Sequence, residues 1–111
     1  MGQSVNRFAV GPIVGESGET HVRLFGALPK RTLGAGKKWL WGRIRWRRKG
    51  DADWSAARAF RLNGNFDGSG VVILNQLQPA TRYEYQAGWI ASEEDVELDW
   101  SGADSGEFLT N

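Results

Sequence analysis

The stretch that decides the fold runs Val71-Val72-Ile73-Leu74-Asn75-Gln76-Leu77-Gln78-Pro79-Ala80-Thr81-Arg82-Tyr83-Glu84-Tyr85. Its spacing Leu-x-Pro-x-Thr-x-Tyr has a mechanical reading. Leu77 plugs the end of a core, Pro79 fixes the backbone at a corner, and Tyr83 begins the next strand. From there the Tyr83 hydroxyl can reach back to the corner backbone, as in the tyrosine corner of two-sheet sandwiches. A chain that turns in this way passes from one β-layer to the opposite one.

Working outward from this corner, the pattern stays β. Fifteen glycines and three prolines interrupt the chain, and no stretch keeps apolar residues at i, i+3, i+4 and i+7 for three turns, whereas period-two alternation recurs. Seven strands are predicted: Arg7–Val14, Glu19–Phe25, Leu40–Arg48, Ala57–Leu62, Gly70–Leu74, Arg82–Ile90 and Gly106–Thr110. The first is broken near Gly11-Pro12, which suits an edge strand or a bulge. Turn chemistry separates the strands at Glu16-Ser17-Gly18, Gly50-Asp51, Asn63-Gly64-Asn65, Asp67-Gly68-Ser69-Gly70 and Ser101-Gly102. Leu33-Gly34-Ala35-Gly36 reads as a mobile loop tip, and 92–104 has room for a short helical turn.

Alternation then assigns faces. Val22 and Leu24 point inward with His21, Arg23 and Phe25 outward, and Val72 and Leu74 are the inward pair of the fifth strand. Ile44 and Trp46 point inward from the third strand, leaving Trp41, Arg43, Arg45 and Arg47 outward. Tyr83, Tyr85, Ala87 and Trp89 line one face of the sixth, and Phe108 anchors the last. Trp46 is expected near the centre of the core. Seven short strands with a turn about every ten residues make a single all-β, two-sheet sandwich domain over residues 1–111, with a small closed barrel as the competing architecture.

Composition agrees with one globular domain: 111 residues, 41% hydrophobic and 24% charged, with no cysteine. The missing cysteines exclude a disulfide scaffold, thiolate zinc or iron–sulfur sites and a cysteine nucleophile. No apolar run is long enough to span a membrane as a helix. Met1-Gly2-Gln3-Ser4 is no signal peptide, which points to the cytoplasm if this start is native and to export if the domain is excised from a longer protein. The net charge of +1 conceals a split. Residues 1–62 carry thirteen Lys/Arg against four Asp/Glu, while residues 63–111 carry Arg82 alone against nine acids. The basic share gathers at Lys30, Arg31, Lys37, Lys38, Arg43, Arg45, Arg47, Arg48 and Lys49. The acidic share gathers between Glu93 and Glu107.

The third-strand Trp46 followed by the Leu77, Pro79, Thr81, Tyr83 corner resembles a fibronectin type III domain. A narrower likeness lies at the two ends. Val10-Gly11-Pro12-Ile13-Val14-Gly15 leading into Thr20-His21-Val22-Arg23-Leu24-Phe25-Gly26 is similar to the start of the N-terminal domain in the alkaline phosphatase D family. Ser105-Gly106-Glu107-Phe108-Leu109-Thr110 is similar to the segment with which that domain hands over to the metallophosphatase domain. The resemblance implies an accessory, non-catalytic domain whose partner is a downstream metallophosphatase domain or another protein surface. It also implies hydrolysis of phosphomonoesters or phosphodiesters in that downstream domain, with metal ions expected only there and no cofactor in this chain. The basic Trp39–Lys49 segment and the long acidic loop 91–104 depart from the family pattern.

The residues themselves support no catalytic constellation. His21 is the one histidine, set outward on a strand without a partner or orienting group, so a surface role fits it better than catalysis. Glu93, Glu94 and Asp95 are consecutive and read as a solvated loop, since glycosidase chemistry needs two acids across a cleft. Gly64, Gly68 and Gly70 do not lie between a strand and a helix, as a phosphate cradle requires.

The strongest binding signal is the segment containing Trp39, Trp41, Arg43, Arg45 and Arg47. Alternate arginines could track phosphates, and exposed tryptophans could stack bases or sugar rings, making a stand-alone module for a polyanion or carbohydrate. Trp46 and Trp89 are expected inside, with Trp39, Trp41, Trp54 and Trp100 at least partly exposed. Against polyanion binding stands the sandwich itself, which places the sixth strand between the third and the seventh. Glu84 and Gln86 then neighbour the arginine row, with the acidic loop near its end. Internal neutralisation or docking is therefore favoured over nucleic acid, because the chain lacks an overall positive excess.

Overall fold

The computed structural model describes residues 3–8, 10–27, 39–63, 69–90 and 98–111. In chain order the strands are β1 (Gln3–Ser4), β2 (Val10–Ser17), β3 (Val22–Ala27), β4 (Trp39–Arg48), β5 (Arg58–Asn63), β6 (Ser69–Leu74), β7 (Arg82–Ile90), β8 (Leu98–Asp99) and β9 (Asp104–Leu109). They form an all-β sandwich: β2-β3-β6 on one side, β5-β4-β7-β9 on the other, linked among the described residues where Asn63 pairs with Ser69. β2 and β9 end this order without pairing to each other, so the competing closed barrel is excluded among the described residues. β1 and β8 form a separate parallel pair.

The Arg82–Ile90 strand runs as expected, and the others shift by one to three residues. Arg7 and Phe8 precede β2 and do not begin it, and the Gly11-Pro12 break is a register shift between Val10 and Ile13 on an edge strand, where a missing N–H costs no ladder bond. Within 92–104, residues 98–99 are a strand and 100–103 a turn rather than a helix. The 33–36 loop tip, the turn at 64–68, Lys30, Arg31, Lys37, Lys38 and the acids at 93–97 lie outside the described residues.

The inner faces follow the alternation. Val22, Leu24, Ile44, Leu62, Val72, Leu74, Tyr83, Tyr85, Ala87 and Phe108 are buried together. Phe8 and Phe60 join them, ring centroids 6.2 Å apart. Gly42 is required beneath the Phe60 ring, because a methyl there would run into it. Trp46 is corrected from its expected central place: like Trp89 it packs against the core and stays partly exposed, and the fully buried place on β4 belongs to Ile44.

The corner performs as its spacing predicts. Leu77 is buried, and the Tyr83 hydroxyl accepts the Gln78 N–H at 2.8 Å. The Thr81 hydroxyl donates to the Pro79 carbonyl at 2.8 Å, while the Thr81 N–H donates to the buried Thr110 hydroxyl at 2.9 Å. Ala80 sits at φ 51°, a left-handed conformation held by its N–H bond to the Asn111 carbonyl. Tyr83 stacks on Phe108 at 5.3 Å, tying the corner to the last strand.

Candidate functional site

Strand register builds the outer face of the four-stranded sheet in cross-strand rows. Trp41 lies opposite Ile90, Arg43 opposite Gly88, Arg45 opposite Gln86 and Arg47 opposite Glu84. On the other side of β7, Gln86 meets Ser105 and Glu84 meets Glu107. The expected Glu84 and Gln86 neighbours of the arginine row are therefore present: Arg45 donates from Nε to Gln86 Oε1 at 2.8 Å, and Arg47 Nε pairs with Glu84.

One half of this face is covered by the chain itself. Val5, Ile90 and Ala103 form a second small core, against which Trp41, Leu98 and Trp100 pack. The Val5 N–H bonds the Asp99 carbonyl at 2.9 Å, and Asn6 exchanges two 2.9 Å backbone bonds with Trp89. Gly88 permits this approach, since a methyl on it would collide with the Asn6 carbonyl and the Val5 side chain. Arg43 falls in the covered half. It points away from the main core as expected, yet it is only 5% exposed and is not the free guanidinium that phosphate tracking would need.

The other half is a stack of rings and guanidiniums. Arg45 Cζ lies 4.7 Å from the ring centroids of both Trp54 and Trp100, and Arg47 Cζ lies 4.0 Å from Trp54. Arg43 and Arg61 approach Trp41 at 5.9 and 5.6 Å. Each such contact contributes on the order of 0.5–2 kcal/mol. Burial, with the nearby charge of Arg47, lowers the affinity of Arg45 for its proton, although it stays a cation at neutral pH. Trp41, Trp54 and Trp100 are all half-buried, and the Trp39 side chain lies outside what the structure describes. Glu84 and Glu107 face each other as like charges; Arg47 answers the first, and Lys49 at 3.0 Å with Arg82 at 3.9 Å answer the second.

The outer face of the three-stranded sheet is different. Ile13, Phe25 and Val71 form one row, and Arg23 with Ile73 the next. Ile13 and Val71 are 48% and 49% exposed, Ile73 37%. Arg58 donates to the Ile73 carbonyl at 2.6 Å, placing a second guanidinium beside this strip. Sequence reasoning did not single out this face, although Ile13, Val71 and Ile73 all fall on outward phases. His21 is partly exposed, 3.4 Å from Glu16, and no group of three His, Asp or Glu converges among the described residues.

No family model matches the sequence, and no curated protein matches it either. Solved structures match its shape. PhoD aligns with a TM-score of 0.61 at 15% identity over 87% of this chain, which spans only 18% of the PhoD chain. A fibronectin type III domain from the human KIAA0970 protein aligns with a TM-score of 0.61 at 14% identity, covering 91% of this chain and 71% of that one. A computationally redesigned β-sandwich protein aligns with a TM-score of 0.57 at 18% identity over 99% of this chain and 96% of its own. At these identities the likeness is one of fold: the chain is a fibronectin type III-like β-sandwich.

Proposed function

We propose that the chain is a non-catalytic accessory domain that docks onto a metallophosphatase domain, which would hold any metal ions and carry out phosphate-ester hydrolysis. The observation that carries this reading is the exposed strip of Ile13, Val71 and Ile73, with the half-buried Phe25 between them, flanked by Arg23 and Arg58. Exposed apolar rows beside arginines suit a protein interface better than a solvated sheet. The complementary surface would be apolar with acidic groups at its rim. The likeness to PhoD, of which this fold makes up 18%, supports the choice of partner by analogy.

A module reading polyanions through the tryptophan- and arginine-rich strand is less favoured. Arg43 is buried, and Arg45 and Arg47 are already stacked and paired. A photo-cross-linking residue placed at Val71, in the protein produced by its own host, tests the docking reading. Cross-links should map to a metallophosphatase domain, on the same or another chain, and be absent from a control position at Ser101. Cross-links to copies of the domain alone, or none at all, would reject this function.

A further inference from the structure

On the uncovered half of the four-stranded sheet, a groove of about 450 Å³ is lined by Arg47, Trp54, Glu84, Gln86, Ser105 and Glu107. We propose that this groove binds a neutral carbohydrate, with a sugar ring against Trp54 and its hydroxyls on the polar floor from β7 and β9. It is a different surface from the apolar docking strip, and the proposal does not depend on the docking role.

The lining selects the ligand class by elimination. Glu84 and Glu107 lie side by side on the floor as cross-strand neighbours, and their cations, Arg47, Lys49 and Arg82, leave the cluster with a single net positive charge. A polyanion would meet two carboxylates. An apolar ligand would strip water from a guanidinium, two carboxylates, an amide and a hydroxyl, a cost of kcal/mol order for each group left unpaired. A polyhydroxylated ring satisfies both demands. Its hydroxyls donate to Glu84 and Glu107, which have more acceptor sites than their cations use. They accept from Arg47, and exchange hydrogen bonds either way with Gln86 and Ser105.

The aromatic element is held in place beforehand. Arg47 and Arg45 stack on Trp54, and the Arg47 guanidinium also donates to the Ala52 carbonyl at 3.2 Å, fixing the loop that carries the indole. Ordering costs on binding are correspondingly small. β9 is an end strand of its sheet, so the groove opens at an edge and admits a chain longer than one residue.

The test titrates the isotope-labelled protein with glucose-, xylose-, mannose- and N-acetylglucosamine-based hexasaccharides, and with a heparin hexasaccharide as the polyanion. At least one neutral sugar should shift the Trp54 indole and the Gln86 and Ser105 amides, with an affinity insensitive to salt. Trp54→Ala should weaken it at least about tenfold. Ser105→Trp, which fills the floor from an exposed position and keeps Trp54, should do the same and covers the case in which Trp54→Ala fails to fold. The proposal is overturned if no neutral sugar moves the Trp54 indole, if both variants bind as well as the parent, or if only the heparin fragment binds and salt abolishes it.

Discussion

Ile90 and Val71 occupy comparable places, each an apolar side chain on the outward phase of a strand in its own sheet. Ile90 is fully buried because the 3–8 segment and the 98–103 turn lie across it; Val71 is 49% exposed because nothing in the described chain covers it. The same alternating pattern thus ends in two opposite environments. Which one a residue enters depends on chain that is distant in sequence, and not on the strand. The covered face spends apolar side chains on the domain's own stability, and the bare face leaves them in contact with solvent.

The sharpest way to break this contrast is at its buried member. Ile90→Ala removes three carbons from a site with no exposure and should cost about 3 kcal/mol, in the usual range for large-to-small core changes. Denaturant unfolding measures it. A loss below about 1 kcal/mol would mean that the second core collapses easily and the cover contributes little.

Gly88→Ala asks whether the cover itself is tight. The added methyl meets the Asn6 carbonyl and Val5, so the 5–6 segment must move or strain, at a cost of about 2 kcal/mol. Hydrogen exchange adds a local readout: the Val5 and Asn6 amides, bonded to Asp99 and Trp89, should lose protection before the main core does. Unchanged protection would place the strap elsewhere.

These two residues also show where sequence reading stops. The corner was legible because Leu77, Pro79, Thr81 and Tyr83 act within a few residues of one another, and Tyr83 needs only to reach back to Gln78. The neighbours of the arginine row were legible too, once the strand order was inferred, since register alone sets Arg47 against Glu84 and Arg45 against Gln86. The cover was not. β1 and β8 are two residues each, and their parallel pairing joins segments from opposite ends of the chain, with no turn to announce it. A faint signal did exist: an outward glycine inside a strand often marks close backbone approach, and Gly88 next to an outward Ile90 is such a position. The burial of Arg43 follows from the same unseen cover. Trp46 was over-read, because a tryptophan near a strand end can pack on a core without entering it.

Acid should loosen the covered face through Asp99. The Ser101 N–H bonds its carboxylate at 3.0 Å, and this backbone bond, followed by the Ser101 hydroxyl, holds the group below its ordinary value near 3.8 despite a small opposing effect of desolvation. A depressed folded-state value means the unfolded chain takes up the proton first. The stabilisation is therefore complete above the ordinary value and disappears as pH falls through the folded one. Asp99→Asn should flatten the denaturation midpoint against pH below about pH 4, and the Val5 amide, bonded to the Asp99 carbonyl, should report the change. An identical acid profile in the variant would show that other carboxylates set it.

The smallest effect is expected at Val71→Thr. Threonine keeps the β-branched shape, so strand propensity is nearly unchanged, and the exchanged methyl is half in water already. Stability should stay within about 0.5 kcal/mol of the parent. Because the hydroxyl removes apolar surface from the Ile13–Phe25–Val71 row, association with a docking partner should weaken even though folding does not. Stability and association then separate at Val71, whereas at Ile90 they fall together. A destabilisation at Val71 as large as that at Ile90 would show that this face, too, is buried by the chain, and the case for a partner would lose its footing.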